Sequence, residues 1–284
     1  MATFTNQATL TYNGLTVSSN TVSGQMISPL SLTKTAGEDV YAPGDTVSYV
    51  ISLVNDGSVT YDGLTLTDDL GGYAIGAGTA YPLSYVQGSV RYFINGVLQS
   101  APAVTPGGPM AISGLSVPAG GNAMLVYETQ VTSAAPLTAG SVVTNTATVT
   151  GTGLNTPLEA SAVISVQTGA ELSIVKSLFP ATVAENGQLT YTFSIQNYGN
   201  EAADAAAGIA VSDLFDPVLK ELTVTLDGQP LTLSTDYTYD QTSGQFATVA
   251  GKIAVPAATY AQTAATGDWV VTPGEVTLTV TGTV

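Results

Sequence analysis

A chain of 284 residues has room for one or two domains with cores of their own. Its 5 basic and 21 acidic residues give a net charge of −16, which argues against nucleic acid or an anionic membrane as partner. The chain has no His and no Cys, so the commonest metal ligands, the commonest general base and any disulfide are missing, and no cofactor or metal site is expected. Charged residues make up only 9% and hydrophobic ones 44%, with Thr, Val, Ala and Gly frequent, a composition that points to an all-β chain with Gly- and Pro-rich turns.

No apolar run approaches the length of a membrane span, so membrane insertion is not expected. The opening Met1-Ala2-Thr3-Phe4 lacks the basic and apolar regions of a secretory signal. Either a signal has been removed and a Met added for expression, or the protein leaves the cell by another route, such as release with a spore or on lysis.

In chain order, residues 1–26 read as two alternating strands joined at Tyr12-Asn13-Gly14, since Asn-Gly between alternating runs is a strong hairpin signal. Short strands follow at the spacing of a sandwich: 30–34, 46–54 after the turn Ala42-Pro43-Gly44-Asp45, 64–68, 90–94 and 97–98 around Asn95-Gly96, and 124–131. A loop over 132–140, crossing the sandwich, leads to a closing strand at 142–150. A second pass repeats the order with strands at 172–176, 188–196 and 209–213, a hairpin at Asp227-Gly228 and a last strand at 276–284. Turns match as well: Pro43-Gly44-Asp45 with Glu185-Asn186-Gly187, Asn55-Asp56-Gly57 with Asn197-Tyr198-Gly199, and Pro118 with Pro273, each before a penultimate strand. No segment has a convincing helical period. The reading is two tandem immunoglobulin-like β-sandwich domains, 27–168 and 169–284, preceded by an arm over 1–26.

The repeats differ at their ends. The first closes with Thr144-Asn145-Thr146-Ala147-Thr148-Val149-Thr150. The second has no such strand before Val284, whereas Thr5-Asn6-Gln7-Ala8-Thr9-Leu10-Thr11 in the arm is a spare copy. A sandwich without its closing strand has an unpaired edge and an uncovered apolar groove. The expectation is that the arm donates its strand to the second domain of another copy, a head-to-tail pairing that propagates into an open homopolymer. Two alternatives stand beside it: the arm folds back on its own second domain, or the protein is a monomeric surface adhesin or carbohydrate- or protein-binding stalk.

The stretches Lys34-Thr35, Gly44-Asp45-Thr46-Val47-Ser48-Tyr49, Leu66-Thr67-Asp68 and Thr144-Asn145-Thr146-Ala147 resemble the conserved repeat domain of bacterial surface proteins and the related fimbrial domains that form isopeptide bonds. The resemblance covers both repeats, more loosely in the second, and implies a β-sandwich exposed on a cell or appendage surface. Only some of the relatives make the covalent bond.

The residues support that chemistry independently. Lys34 and Lys176, two of only 5 basic residues, occupy equivalent ends of an apolar strand. A lysine facing a core is rare unless paired or reactive, and burial favours its neutral, nucleophilic form. Asp68 and Asp213 fall at equivalent places downstream, where a buried carboxyl could polarise a carboxamide and shuttle its proton. Asn145 supplies that carboxamide in the first repeat and Asn6 in the arm. The expected bonds are Lys34–Asn145 within a subunit and Lys176–Asn6 between subunits, with Asp68 and Asp213 assisting. Asp69 competes with Asp68, the choice depending on strand register, and Asp216 reads as a turn residue before Pro217. In the competing view the lysines snorkel to surface acids and the asparagines bond locally. Asp236, Asp240 and the pair Glu38-Asp39 show no metal-ligand spacing. Trp269 reads as packing. Chemistry of this kind turns over once, on the chain itself, so the protein is not expected to be an enzyme in the usual sense. It reads as the structural subunit of a cell-surface or spore-surface, pilus-like fibre, whose anchoring or tip protein is unknown.

Overall fold

The computed structural model describes residues 2–26 and 29–284; the boundary expected after residue 26 falls on residues 27–28, outside the described ones. Among the described residues every regular element is a strand except a 3-10 turn at Ala205–Ala207, and no helix is long and apolar enough to cross a membrane. The strands pack around two separate cores, giving the expected tandem sandwiches.

The first core shows why the pattern folds this way. Along Thr46–Asn55 the inward residues Val47, Tyr49, Ile51 and Leu53 alternate with more exposed ones, the period of a strand with one face buried. Each such side chain stabilises the fold by roughly 2 kcal/mol when withdrawn from water. One sheet runs in the order 97–98, 91–94, 122–131, 46–55 and Leu30–Ala36. The facing sheet runs 103–105, 110–117, Tyr61–Asp68, Val142–Thr150, Leu158–Val166 and 40–41. The hairpin of Val142–Thr150 with Leu158–Val166 closes this second sheet, and its inward residues include Val143, Asn145, Ala147, Val149, Ala162 and Ile164. The turns at Asn13-Gly14, Asn95-Gly96 and Asp227-Gly228 all hold two successive residues at positive φ, as tight hairpins require.

The second sandwich repeats the five-strand path of the first sheet, Leu172–Phe179, Gln188–Asn197, Gly274–Thr283, Lys220–Leu226 and 229–230, without a counterpart of Leu83–Tyr85, which pairs with 122–131 in the first. Its facing sheet has only Ser212–Leu214, Gln245–Thr248 and Tyr237–Tyr239. In the first sandwich Tyr61–Asp68 has a neighbour on each side, 110–117 and 142–150. Ser212–Leu214 has a neighbour on one side only. The expected strand over 209–213 is shortened and displaced: on its paired side Val211 gives its N–H to the Thr248 side chain at 2.9 Å in place of a ladder carbonyl, and the Asp216-Pro217 turn follows closely. Among the described residues no strand fills the place of the closing hairpin. All eight residues of Leu172–Phe179 are consequently exposed, including Ile174 at 54%, while the equivalent Leu30 and Lys34 are buried.

The arm is a hairpin standing clear of that opening. Ala2–Asn6 pairs with Val22–Met26, and Thr9–Tyr12 with Leu15–Ser18. Phe4, Leu10, Tyr12, Leu15, Val17 and Val22 are all exposed, so the arm does not fold back to bury its apolar face. Its pairing matches that of the closing hairpin: Asn6 lies opposite Val22 as Asn145 lies opposite Ala162, and Phe4 opposite Gly24 as Val143 lies opposite Ile164. Phe4 lies across Gly24 so closely that a Cβ there would sit 2.4 Å from the ring. A large residue facing none replaces two of middle size.

The sandwiches also differ where they meet. Asn55 donates to the carbonyl of Pro118 at 2.9 Å, and Asn197 donates to that of Pro256 at 3.0 Å, so Pro256 and not Pro273 is the counterpart of Pro118. Between Pro256 and Gly274 the second sandwich carries an insertion, the hairpin of Thr259–Gln262 with Trp269–Thr272. This hairpin reaches back to the first sandwich, where the Trp269 N–H donates to the Ser133 carbonyl at 2.9 Å and Gln262 bonds the Tyr73 hydroxyl. Tyr73 belongs to an extra hairpin of the first sandwich, Tyr73–Ile75 with Gly78–Ala80. Asn200 adds bonds to the carbonyls of Leu137 and Gln167, both at 3.0 Å.

Candidate isopeptide sites

Lys34 points inward from Leu30–Ala36 and meets Asp68, which points inward from the opposite sheet. The Nζ donates to Asp68 Oδ2 at 2.7 Å, and neither side chain has any exposed surface. The other carboxyl oxygen accepts the Leu70 N–H at 2.9 Å. The Tyr127 hydroxyl also donates to Oδ2. Lys34 Nζ lies 4.8 Å from the centre of the Tyr49 ring, which stacks on Tyr127 at 5.8 Å. Of the two acids it is Asp68 that faces Lys34: Asp69 turns away and accepts the N–H groups of Gly71 at 2.9 Å and Thr146 at 2.8 Å.

Asn145 completes this group. Ala147 lies directly opposite Asp68 in the sheet, and Asn145, two residues along the same strand, emerges on the same inward face. It is fully buried, and neither its amide nitrogen nor its oxygen makes a well-formed hydrogen bond; the buried Tyr49 hydroxyl makes none either, although the Asn145 side chain lies close enough to favour its ionised form. An unpaired buried polar group costs about 1–3 kcal/mol, so packing alone does not explain a carboxamide here.

The electrostatics suit a condensation. Burial pushes the Lys34 amine below its ordinary value, and attraction to Asp68 only partly opposes this. Burial, then the charge of Asp68, drives the Tyr127 hydroxyl well above the usual phenol range, so it stays a donor. A buried amine that gives up its proton readily, a carboxyl to carry protons and an unbonded carboxamide are the parts an amide exchange needs.

The second sandwich holds the same pair in a different setting. Lys176 Nζ donates to Asp213 Oδ2 and lies 4.4 Å from the Tyr191 ring centre, with Phe193 and Phe215 beyond. Here the lysine side chain is 40% exposed and the aspartate 18%. No asparagine joins them within the chain. Asn6 stands apart, exposed on the arm. Asp216, the other candidate acid, is exposed in its turn. Tyr191 takes the place of Tyr49, but Val280 stands where Tyr127 does, as the strand pairings Tyr127–Tyr49 and Val280–Tyr191 show.

Tyr127 was not singled out from the sequence. The sign of it there is an aromatic hydroxyl in the inward series Ala123, Leu125, Tyr127, Thr129 and Val131. The other acids weighed as ligands have local roles: Asp236 pairs with Lys252 at 3.0 Å, and Asp240 caps its own turn through Ser243.

No protein-family model and no curated protein matches the chain. Among solved structures it is similar to the pilus backbone RrgB of Streptococcus pneumoniae, with 14% identity and a TM-score of 0.35 over 86% of this chain and 55% of that one. It thus spans little more than half of that protein's length. It is also similar to BcpA, the major pilin subunit of Bacillus cereus, with 14% identity and a TM-score of 0.35 over 96% of this chain and 73% of that one. A collagen-binding domain of a Staphylococcus aureus adhesin gives 12% identity and a TM-score of 0.29 over 49% of this chain and 99% of that one. With scores this low, the likeness is descriptive, and the functional reading rests on the chain's own strands and side chains.

Proposed function

We propose that the protein is the structural subunit of an extracellular, pilus-like filament on a cell or spore surface. Subunits join head to tail by strand donation, and self-made isopeptide bonds lock them. One observation carries the reading. The first sandwich buries a lysine, an aspartate and an unbonded asparagine together, while the second presents the same lysine and aspartate beside an open sheet edge, and the missing asparagine lies on an arm paired like the closing hairpin.

In the filament the arm of one subunit enters the groove of the next, with Asn6 beside Lys176 and Asp213. Its strand pairs with Ser212–Leu214, its inward residues cover the exposed face of Leu172–Phe179, and Lys176 becomes buried as Lys34 is. The neutral amine then attacks the carboxamide carbon. Asp213 passes the proton lost by the amine to the departing nitrogen, ammonia leaves, and an amide remains. Because donor and acceptor surfaces lie on different parts of the subunit, pairing leaves a free arm at one end and a free groove at the other, and growth continues.

Mass spectrometry of assembled material boiled in denaturant tests this. The expected result is a ladder of multimers lighter by one ammonia for each internal bond and each junction, with crosslinked peptides at Lys34–Asn145 and Lys176–Asn6. A single species of unmodified monomer mass would remove the covalent chemistry.

A further inference from the structure

We infer that Tyr127 is a positioning residue for the internal crosslink, holding Asp68 in line between Lys34 and Asn145; the inference rests on the crosslinking reading above. The Tyr127 hydroxyl donates to Oδ2, the same oxygen that accepts from Lys34, while the Leu70 N–H occupies Oδ1. The carboxyl is therefore gripped at both oxygens and cannot swing away from the lysine. Tyr127 reaches it from the strand 122–131, in the sheet that also carries Lys34, and its ring is braced against Tyr49.

The charged and titratable groups around the carboxyl are few: Lys34 from its strand, Tyr127 and Tyr49 from the two strands beside it, and Asp69 on the far side of the chain. In the reaction Asp68 takes one proton from the Lys34 ammonium. The amine lone pair then forms a bond to the Asn145 carboxamide carbon. As the carbon–nitrogen bond of the old amide breaks, the departing nitrogen takes that proton from Asp68 and a second one from the newly bonded lysine nitrogen. Asp68 ends as it began, and the bookkeeping closes with one amide formed and one ammonium released. The proton leaving Lys34 goes to Oδ2, the oxygen that Tyr127 holds in place. The second sandwich has Val280 at this position, so Asp213, whose Oδ1 accepts the Leu214 N–H at 2.9 Å, has no hydroxyl donor on Oδ2 beside Lys176.

The experiment follows loss of ammonia over time by intact mass, using full-length chain freshly made by cell-free synthesis and diluted into buffers across the pH range. Wild type is compared with Tyr127→Phe, which removes only the hydroxyl. The expected result is a roughly ten- to hundredfold slower internal condensation. Placing 4-aminophenylalanine at 127, which restores a donor without the hydroxyl, should recover most of the lost rate, a rescue that a packing role would not give. Melting of Tyr127→Phe in an Asn145→Ala background, which cannot crosslink, checks that the variant folds. An unchanged rate overturns the inference, and so does a slower rate that the restored donor fails to rescue, since that describes a packing defect. If wild type itself never loses ammonia, the crosslinking reading falls and this inference with it.

Discussion

Lys34 and Asp68 meet at 2.7 Å from opposite sheets, and water reaches neither side chain. Removing one partner of such a pair strands the other charge in the core. In an Asn145→Ala background, Lys34→Ala should therefore lower stability by about 3–5 kcal/mol, whereas replacing both residues by apolar ones of similar size should cost little or even stabilise. Denaturant unfolding of the three variants checks this. Equal losses for the single and double replacements would mean that the pair is not energetically isolated from water.

The same pair sets a pH dependence. In the uncrosslinked Asn145→Ala protein, Lys34 loses its proton at lower pH when folded than when unfolded, where its value is near 10.5. Between those two values the unfolded chain binds more protons, so stability should rise with pH. The buried Tyr49 and Tyr127 have the opposite sign: raised above 10 in the fold, they should make stability fall as pH climbs beyond 10. The difference in unfolding free energy between Asn145→Ala and Asn145→Ala/Lys34→Met, measured from pH 7 to pH 11, should show the rise. A flat difference would mean that the lysine titrates alike in both states.

Asn6→Ala is expected to separate assembly from locking. The arm keeps its pairing and apolar face, so filaments should still form, but boiling in denaturant should reduce them to monomers that retain the internal bond. Lys176→Arg should behave in the same way. A ladder that survives Asn6→Ala would assign the junction to another residue.

Phe4 and Gly24 provide a test of fit. Gly24→Ile places side-chain atoms inside the Phe4 ring and should weaken the arm hairpin by about 1–3 kcal/mol, slowing polymerisation. Adding Phe4→Val recreates the Val143–Ile164 pairing of the closing hairpin and should restore most of the lost rate. Light scattering during assembly reports both. Failure of the double variant to recover would show that the groove of the second sandwich is shaped for an aromatic ring.

Much of this was legible in the sequence because period-two alternation and Asn-Gly or Asp-Gly turns are local signals. Lys34, Asp68 and Asn145 could be matched to Lys176, Asp213 and Asn6 because each sits in a strand with its own pattern. Other features depended on contacts that no local pattern encodes. The start of Ser212–Leu214 follows the bond between Val211 and the Thr248 side chain. Tyr127 looks like any inward aromatic until Asp68 is seen beneath it. Pro273 does stand directly before the strand Gly274–Thr283, but only the matching bonds of Asn55 and Asn197 show that Pro256 takes the part of Pro118 and that the hairpin carrying Trp269 is inserted between them.

That insertion bears on how a fibre would bend. Within a subunit the hairpin around Trp269 clasps the one that carries Tyr73, fixing the two sandwiches to each other. At a junction made by strand donation neither half of the clasp would be present: the second sandwich runs from Phe215 to Lys220 without a Tyr73-type hairpin, and the first spans 118–121 where the other carries its insertion. A filament built by strand donation would therefore alternate a stiff joint with a compliant one, tied covalently but free to swivel. Its curvature would gather at every second joint, giving an appendage that yields sideways under flow while staying inextensible along its length.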